Sequence, residues 1–159
     1  MTEIEQYIQD VRNNVDNFGG CSPEQALVYS CEAVTETVLG VRKIARCETD
    51  EFINSVCMNE NIETPTVNIT PSRSPNVAIA NIQEHSVCLH RARSSVPTIL
   101  HEIAHLIVGL DQHGVLFRDE LIRLTRKYIG VEYSSLLFHL MSGTGLEMSP
   151  WQASSRQIY

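Results

Sequence analysis

The stretch VPTILHEIAHLIVGLDQHG, residues 96–114, decides how the rest of this chain is read. Its apolar residues Val96, Ile99, Leu100, Ile103, Ile107 and Val108 recur at helical spacing and make one broad face. Ser95 stands where an N-cap belongs, Pro97 falls in the first turn, and Gly109 stops the helix. His101 and His105 are one turn apart, so both imidazoles leave the same side and can reach one ion. Glu102 points too far round to be a natural third ligand. It is suited instead to take a proton from a water at that ion, and zinc is the metal that neutral imidazoles favour.

A pattern of this kind arises by chance in roughly 2% of chains with this many His and Glu residues, so the setting has to carry the argument. Here the N-cap, the apolar face opposite the histidines and the glycine stop all point to a deliberate helix. A catalytic zinc takes three protein ligands and leaves a fourth position open. His113 follows eight residues after His105, with Gly109 able to reverse the chain and Gly114 able to let the backbone approach closely. Asp111, in the same turn, and Glu120, a few residues into the next helix, are the competing third ligands.

Outward from the metal helix the chain is ordinary. Ile4, Ile8, Val11 and Val15 predict a first helix that stops at Phe18-Gly19-Gly20. Ser22, Pro23 and Gln25 open a second as N-cap, first helical residue and capping-box partner, with Ala26 or Leu27, Cys31, Val34 and Val38 facing inward as far as Gly40. Thr49 caps a third through Phe52, Ile53, Val56 and Cys57. TPTVNIT, NVAIANI and HSVCLH (residues 64–70, 76–82 and 85–90) read as two or three antiparallel strands, with Pro65, Pro71 and Pro75 at run ends or turns. After the metal helix, Phe117, Leu121, Leu124 and Tyr128 define a helix ending at Gly130, and another covers residues 132–141. The turn-rich tail from Ser142 onward is left unassigned.

These elements make an α+β fold: N-terminal helices, a small antiparallel sheet, then a zincin-like metal helix with following helices. The 159 residues, 43% hydrophobic, suit a single domain, with a helical part over 1–60, a core over 64–142 and a tail over 143–159. No apolar run approaches the ~18 residues of a membrane span, and MTEIEQYIQD lacks the features of a secretory signal, so no membrane partner and a cytoplasmic location are expected. Cys21, Cys31, Cys47, Cys57 and Cys88 form no CxxC pair and read as reduced thiols. Cys88, between Val87 and Leu89, reads as packing rather than as a nucleophile.

The net charge of -7 is unevenly placed. Residues 1–63 carry 12 acidic and 4 basic side chains, a net of -8; residues 64–159 carry 7 and 8, a net of +1. The acidic half argues against broad binding to nucleic acid or anionic membranes. Arg118, Arg123, Arg126 and Lys127 on one helix, with Arg91 and Arg93 before the metal helix, leave nucleic acid as a lesser expectation, because no aromatics are interleaved with them.

HEIAH, a short turn and then HGVLF resemble SprT-like zinc metalloproteases, in which HExxH is followed by an HGxxF element. The same combination is similar to small phage and actinobacterial metallohydrolases that share HExxH, HGxxF and an amphipathic helix after it. The likeness covers about residues 85–130. It implies His101, His105 and His113 as zinc ligands, Glu102 as catalytic base and Phe117 as a packing anchor. The separation of the two motifs is shorter here than in many SprT-like proteins, and the Cys-rich zinc ribbon that often follows is absent. The expected function is zinc-dependent hydrolysis of a peptide or protein; the alternative is a non-catalytic metal-containing binding or regulatory protein, with DNA association as one form of it. Residues 86–90 are placed to hold an extended substrate as an edge strand. Tyr128, Tyr133, His139 and Arg118 are the candidate donors to an oxyanion, while His85 and His90 flank a strand and are at best outer partners of the site.

Overall fold

A computed structural model describes residues 1–74 and 76–151. The expectation for Pro75, and that part of the tail beyond Trp151, lie outside the described residues. The fold is mixed α+β, and the chain forms two compact units: Met1–Gly40 together with the chain from His113 onward, and Val41–Gln112.

The first unit is helical. Helix α1 (Glu3–Asn14) starts in a complete capping box between Thr2 and Glu5, and its last turn runs into a 3₁₀ turn at Val15–Phe18. Helix α2 (Pro23–Leu39) starts where Ser22 accepts from the Gln25 N–H at 3.2 Å. The Gln25 side chain does not reach back to close the box; it donates to Tyr29 Oη at 3.1 Å. Helices α5 (Val115–Tyr128) and α6 (Val131–Gly143) complete the unit, with α6 packed on α1, α2 and α5. Val11, Val28, Cys31, Phe117, Leu121, Leu124, Leu137, Leu140 and Met141 are its fully buried apolar residues. Neighbours on two sides of α2 also bury Ser30, Glu32 and Thr35, a wider stripe than its apolar residues alone predict. Ser30 repays its burial by donating to Val11 O at 2.6 Å. Tyr128, the last residue of the apolar series that defines α5, is only half-buried.

The second unit holds the strands. In a three-stranded sheet β4 (Ser86–Leu89) lies between β2 (Thr66–Ile69) and β3 (Ala78–Asn81). The β3–β4 pair is antiparallel, as expected, but β2 runs parallel to β4. Alternating burial identifies a strand without fixing its direction. The proline-containing segment between β2 and β3 is too long and too stiff for a tight hairpin, and it carries the chain across the sheet instead. A second, two-stranded sheet pairs β1 (Lys43–Ala45) with β5 (Arg93–Ser95), neither of them expected. Helix α3 (Arg46–Glu60) follows β1 directly, so it starts three residues before the expected cap. Thr49 lies inside it and donates to Ala45 O at 3.0 Å. All five cysteines are free thiols, Cys31 and Cys57 fully buried. No helix among the described residues is long and apolar enough to cross a membrane.

Candidate metal centre

Helix α4 (Val96–Val108) is launched from a strand. The β1–β5 pairing sets Lys43 opposite Ser95, and the Val96 N–H continues it by donating to Arg42 O at 2.9 Å. Ser95 therefore ends the strand and caps the helix, accepting from the Thr98 N–H at 3.2 Å while its hydroxyl meets Thr98 Oγ1 at 2.9 Å. Ile99, Leu100, Ile103 and Ala104 are fully buried and anchor the helix. With that face committed, His101 and His105 leave the helix together on another side.

Their Nε2 atoms lie 3.2 Å apart and their rings meet edge to face. Two nitrogens about 2.05 Å from one zinc at the tetrahedral angle stand about 3.3 Å apart, so the pair already has the spacing a metal requires. His113 supplies a third nitrogen. Among the described residues these three histidines form the group able to hold a metal ion, their ligand atoms all within 4.8 Å of one another. His101 is buried while His105 and His113 are half-buried, so the cluster grades from the protein interior towards solvent. Imidazole-only donors suit zinc, copper, iron or nickel in chemistry, and a half-exposed rim is where a fourth position can open.

The chain reverses between His105 and His113 by two unusual residues. Gly109 caps α4 at φ +70°, its N–H bonded to His105 O. After a 3₁₀ turn at Gly109–Asp111, Gln112 takes φ +44° and ψ -107°, a conformation that favours glycine. Gly114, expected to let the backbone approach closely, has an ordinary φ of -73° and serves as the N-cap of α5. The His113 ring then sits between two aromatic rings, edge to face with Tyr29 at 5.2 Å and with Phe117 at 5.0 Å. Phe117 is fully buried.

Glu102, next to His101, is 7% exposed. Asp111 and Glu120 stay outside the histidine cluster. Glu120 is held along α5 by Arg123, at 2.6 Å from Nη2. The structure also relocates several other candidates. Strand β4, expected at an edge, is the middle strand, because β2 arrives on its far side. Arg118, expected as a surface cation or an oxyanion donor, is 3% exposed and bonds to protein on every side. Tyr133 is buried near α2 residues, its hydroxyl without a hydrogen-bond partner among the described residues and its pKa raised by burial and by the Glu32 and Glu36 carboxylates. His139 is an exposed helix residue whose Nδ1 lies 2.7 Å from Ser135 O. His85 and His90 contact Glu63 O and Ser72 Oγ, away from the cluster.

The basic residues are similarly engaged at home. Arg126 stacks on Trp151, Lys127 lies over Tyr128, and Arg91 donates to the carbonyls of Ser72 and Ser74. The Arg126–Trp151 stack and the burial of Arg118 had no signal in the periodicity; only a tryptophan near the tail hinted at the first.

Comparison of the chain with family models, with curated proteins and with solved structures finds no match.

Proposed function

We propose that the protein is a zinc-dependent hydrolase acting on peptides, with His101, His105 and His113 as the metal ligands and Glu102 as the general base. The observation that carries the proposal is the 3.2 Å separation of His101 and His105 Nε2 with a third histidine nitrogen alongside. The likeness of HEIAH and HGVLF to SprT-like metalloproteases supports the same reading. A zinc ion held by these residues supplies Lewis-acid chemistry, polarising a carbonyl and acidifying a water. Glu102 accepts the proton of the attacking water and returns it to the leaving nitrogen.

A peptide is the substrate class because of the strand beside the metal helix. Strand β3 packs against α4, pairs with β4 along one edge only, and its other edge carries no strand among the described residues. An extended peptide can pair with such an edge through its main chain. This edge takes over the role expected of residues 86–90.

The test joins metal analysis to hydrolysis. Protein purified without chelator is expected to hold one zinc per chain and His101→Ala to lose it, while Glu102→Gln keeps the zinc and loses cleavage of an unstructured protein such as casein by about 10²–10⁴-fold. Absence of zinc from the wild type overturns the proposal. Zinc retained with equal behaviour of the wild type and Glu102→Gln in every assay makes the protein a non-catalytic metal-holding one.

A further inference from the structure

Arg118 is a charged side chain that burial should exclude. It lies in the first turns of α5, 3% exposed, where a guanidinium is tolerated only if its donors are saturated. Its bonds reach three separate segments of the helical unit. Nη1 donates to Glu24 Oε1 at 2.6 Å and to His113 O at 2.8 Å, while Nε and Nη2 donate to Glu147 O at 3.1 and 2.8 Å. Glu24 belongs to the first turn of α2, and Glu147 lies in the segment after α6. His113 precedes the N-cap of α5, so no helical N–H is available to its carbonyl through that helix.

The residue gripped by this fork is the one that offers the third nitrogen. Its ring is confined independently by Tyr29 and Phe117, and Tyr29 is itself met by Gln25 at the start of α2. Main chain and ring of His113 are thus both held from within the helical unit: the main chain by Arg118, the ring by Tyr29 and Phe117. His101 and His105 leave consecutive turns of one helix, which brings them to the same side. The third ligand follows a chain reversal with Gln112 at positive φ, where the backbone has no regular structure to hold it.

We infer that Arg118, clamped by Glu24 and by the carbonyl of Glu147, is the positioning residue that presents His113 to the metal. The inference rests on the metal reading of the three histidines. Helix α2 and the segment after α6 act through it on the metal affinity, although neither supplies a ligand. Lysine cannot replace the arginine, because one ammonium cannot reach acceptors spread around a planar fork.

The experiment measures zinc affinity against a chromophoric competitor, and the visible absorption of the cobalt(II)-loaded protein, for the wild type, Arg118→Lys, Glu24→Ala and His113→Ala. Outer partners that orient metal ligands typically contribute about 10–100-fold in affinity, and that loss is expected for Arg118→Lys and Glu24→Ala. Their cobalt spectra should shift towards that of His113→Ala, whereas a merely structural role would lower the melting temperature of the metal-free protein and leave the spectrum of the folded fraction unchanged. Glu24 is half-exposed, so Glu24→Ala remains a fair test if Arg118→Lys does not fold. Wild-type affinity and spectrum in folded Glu24→Ala overturn the inference while leaving the metal site standing. A wild-type protein that takes up neither zinc nor cobalt overturns the metal reading itself.

Discussion

His101 Nε2 and His105 Nε2 stand 3.2 Å apart, on successive turns of one helix. Two neutral imidazoles tolerate such proximity and a metal ion rewards it, but two imidazolium ions repel. Metal binding requires the neutral rings, so affinity should fall as the pH is lowered and protons compete for the ring nitrogens. Zinc release followed with a chromophoric chelator between pH 8 and 5 checks this; pH-independent retention would mean that the ligands are not these histidines.

Gln112 and Gly109 should respond to substitution in opposite directions. A residue other than glycine at the φ and ψ of Gln112 costs about 1–3 kcal/mol of strain. Glycine relieves it but adds about 0.5–1 kcal/mol of unfolded-state entropy, so strain wins and Gln112→Gly should stabilise by about 1 kcal/mol. Gly109→Ala, at φ +70°, should destabilise by about 1–2 kcal/mol although a Cβ there meets no atom within 4 Å. Urea denaturation of the two variants decides it: equal midpoints would show that this reversal stores no strain.

Gly143 closes α6 against α1. A Cβ on it would stand 2.5 Å from Ile8 Cδ1, inside any tolerable contact. The obstructing atom is the end of a flexible side chain, so Gly143→Ala should cost about 1 kcal/mol, at the low end for overpacking. Ile8→Val removes that methyl, and in combination the two changes should cost less than their sum. Strict additivity in a double-mutant cycle would rule the contact out as the cause.

The thiols should divide by burial. Loss of solvation pushes Cys31 up to about 12 and Cys57 up to about 11, the hydroxyl of Thr144 opposing the shift at Cys31 and the Glu60 carboxylate adding to it at Cys57. Both bind their proton more tightly folded than unfolded, so their stabilising contribution is complete below pH 9 and fades as the pH rises towards 11–12. Iodoacetamide at pH 8 should label exposed Cys47 and spare Cys31 and Cys57, as read by peptide mass spectrometry. Labelling of Cys31 in the folded protein at that pH would contradict its burial.

Much of this was legible along the chain. The Ser22 and Ser95 caps, the Gly109 stop and the three β-branched runs all find their elements, because each is decided by neighbours within a few residues. Strands β1 and β5 escaped notice for the opposite reason. KIA and RSS are too short and too polar to show alternation, and they become strands only by meeting each other some fifty residues apart in sequence. The same limit hid the parallel direction of β2, which turned β4 from an edge into a centre.

The sequence by itself determined helix α4 and set His101 and His105 one turn apart on the side away from its apolar face. It also placed a histidine within reach of them, with Asp111 and Glu120 as rivals. Only the tertiary structure sets a His113 nitrogen within 4.8 Å of theirs and brings Arg118 to its carbonyl. Arg118 reads in sequence as one more cation on an amphipathic helix. It becomes a buried clamp on His113 only because Glu24 and Glu147, far away along the chain, converge on its guanidinium. Periodicity cannot report such a convergence, because burial of a charge depends on where its partners arrive and not on its own neighbours.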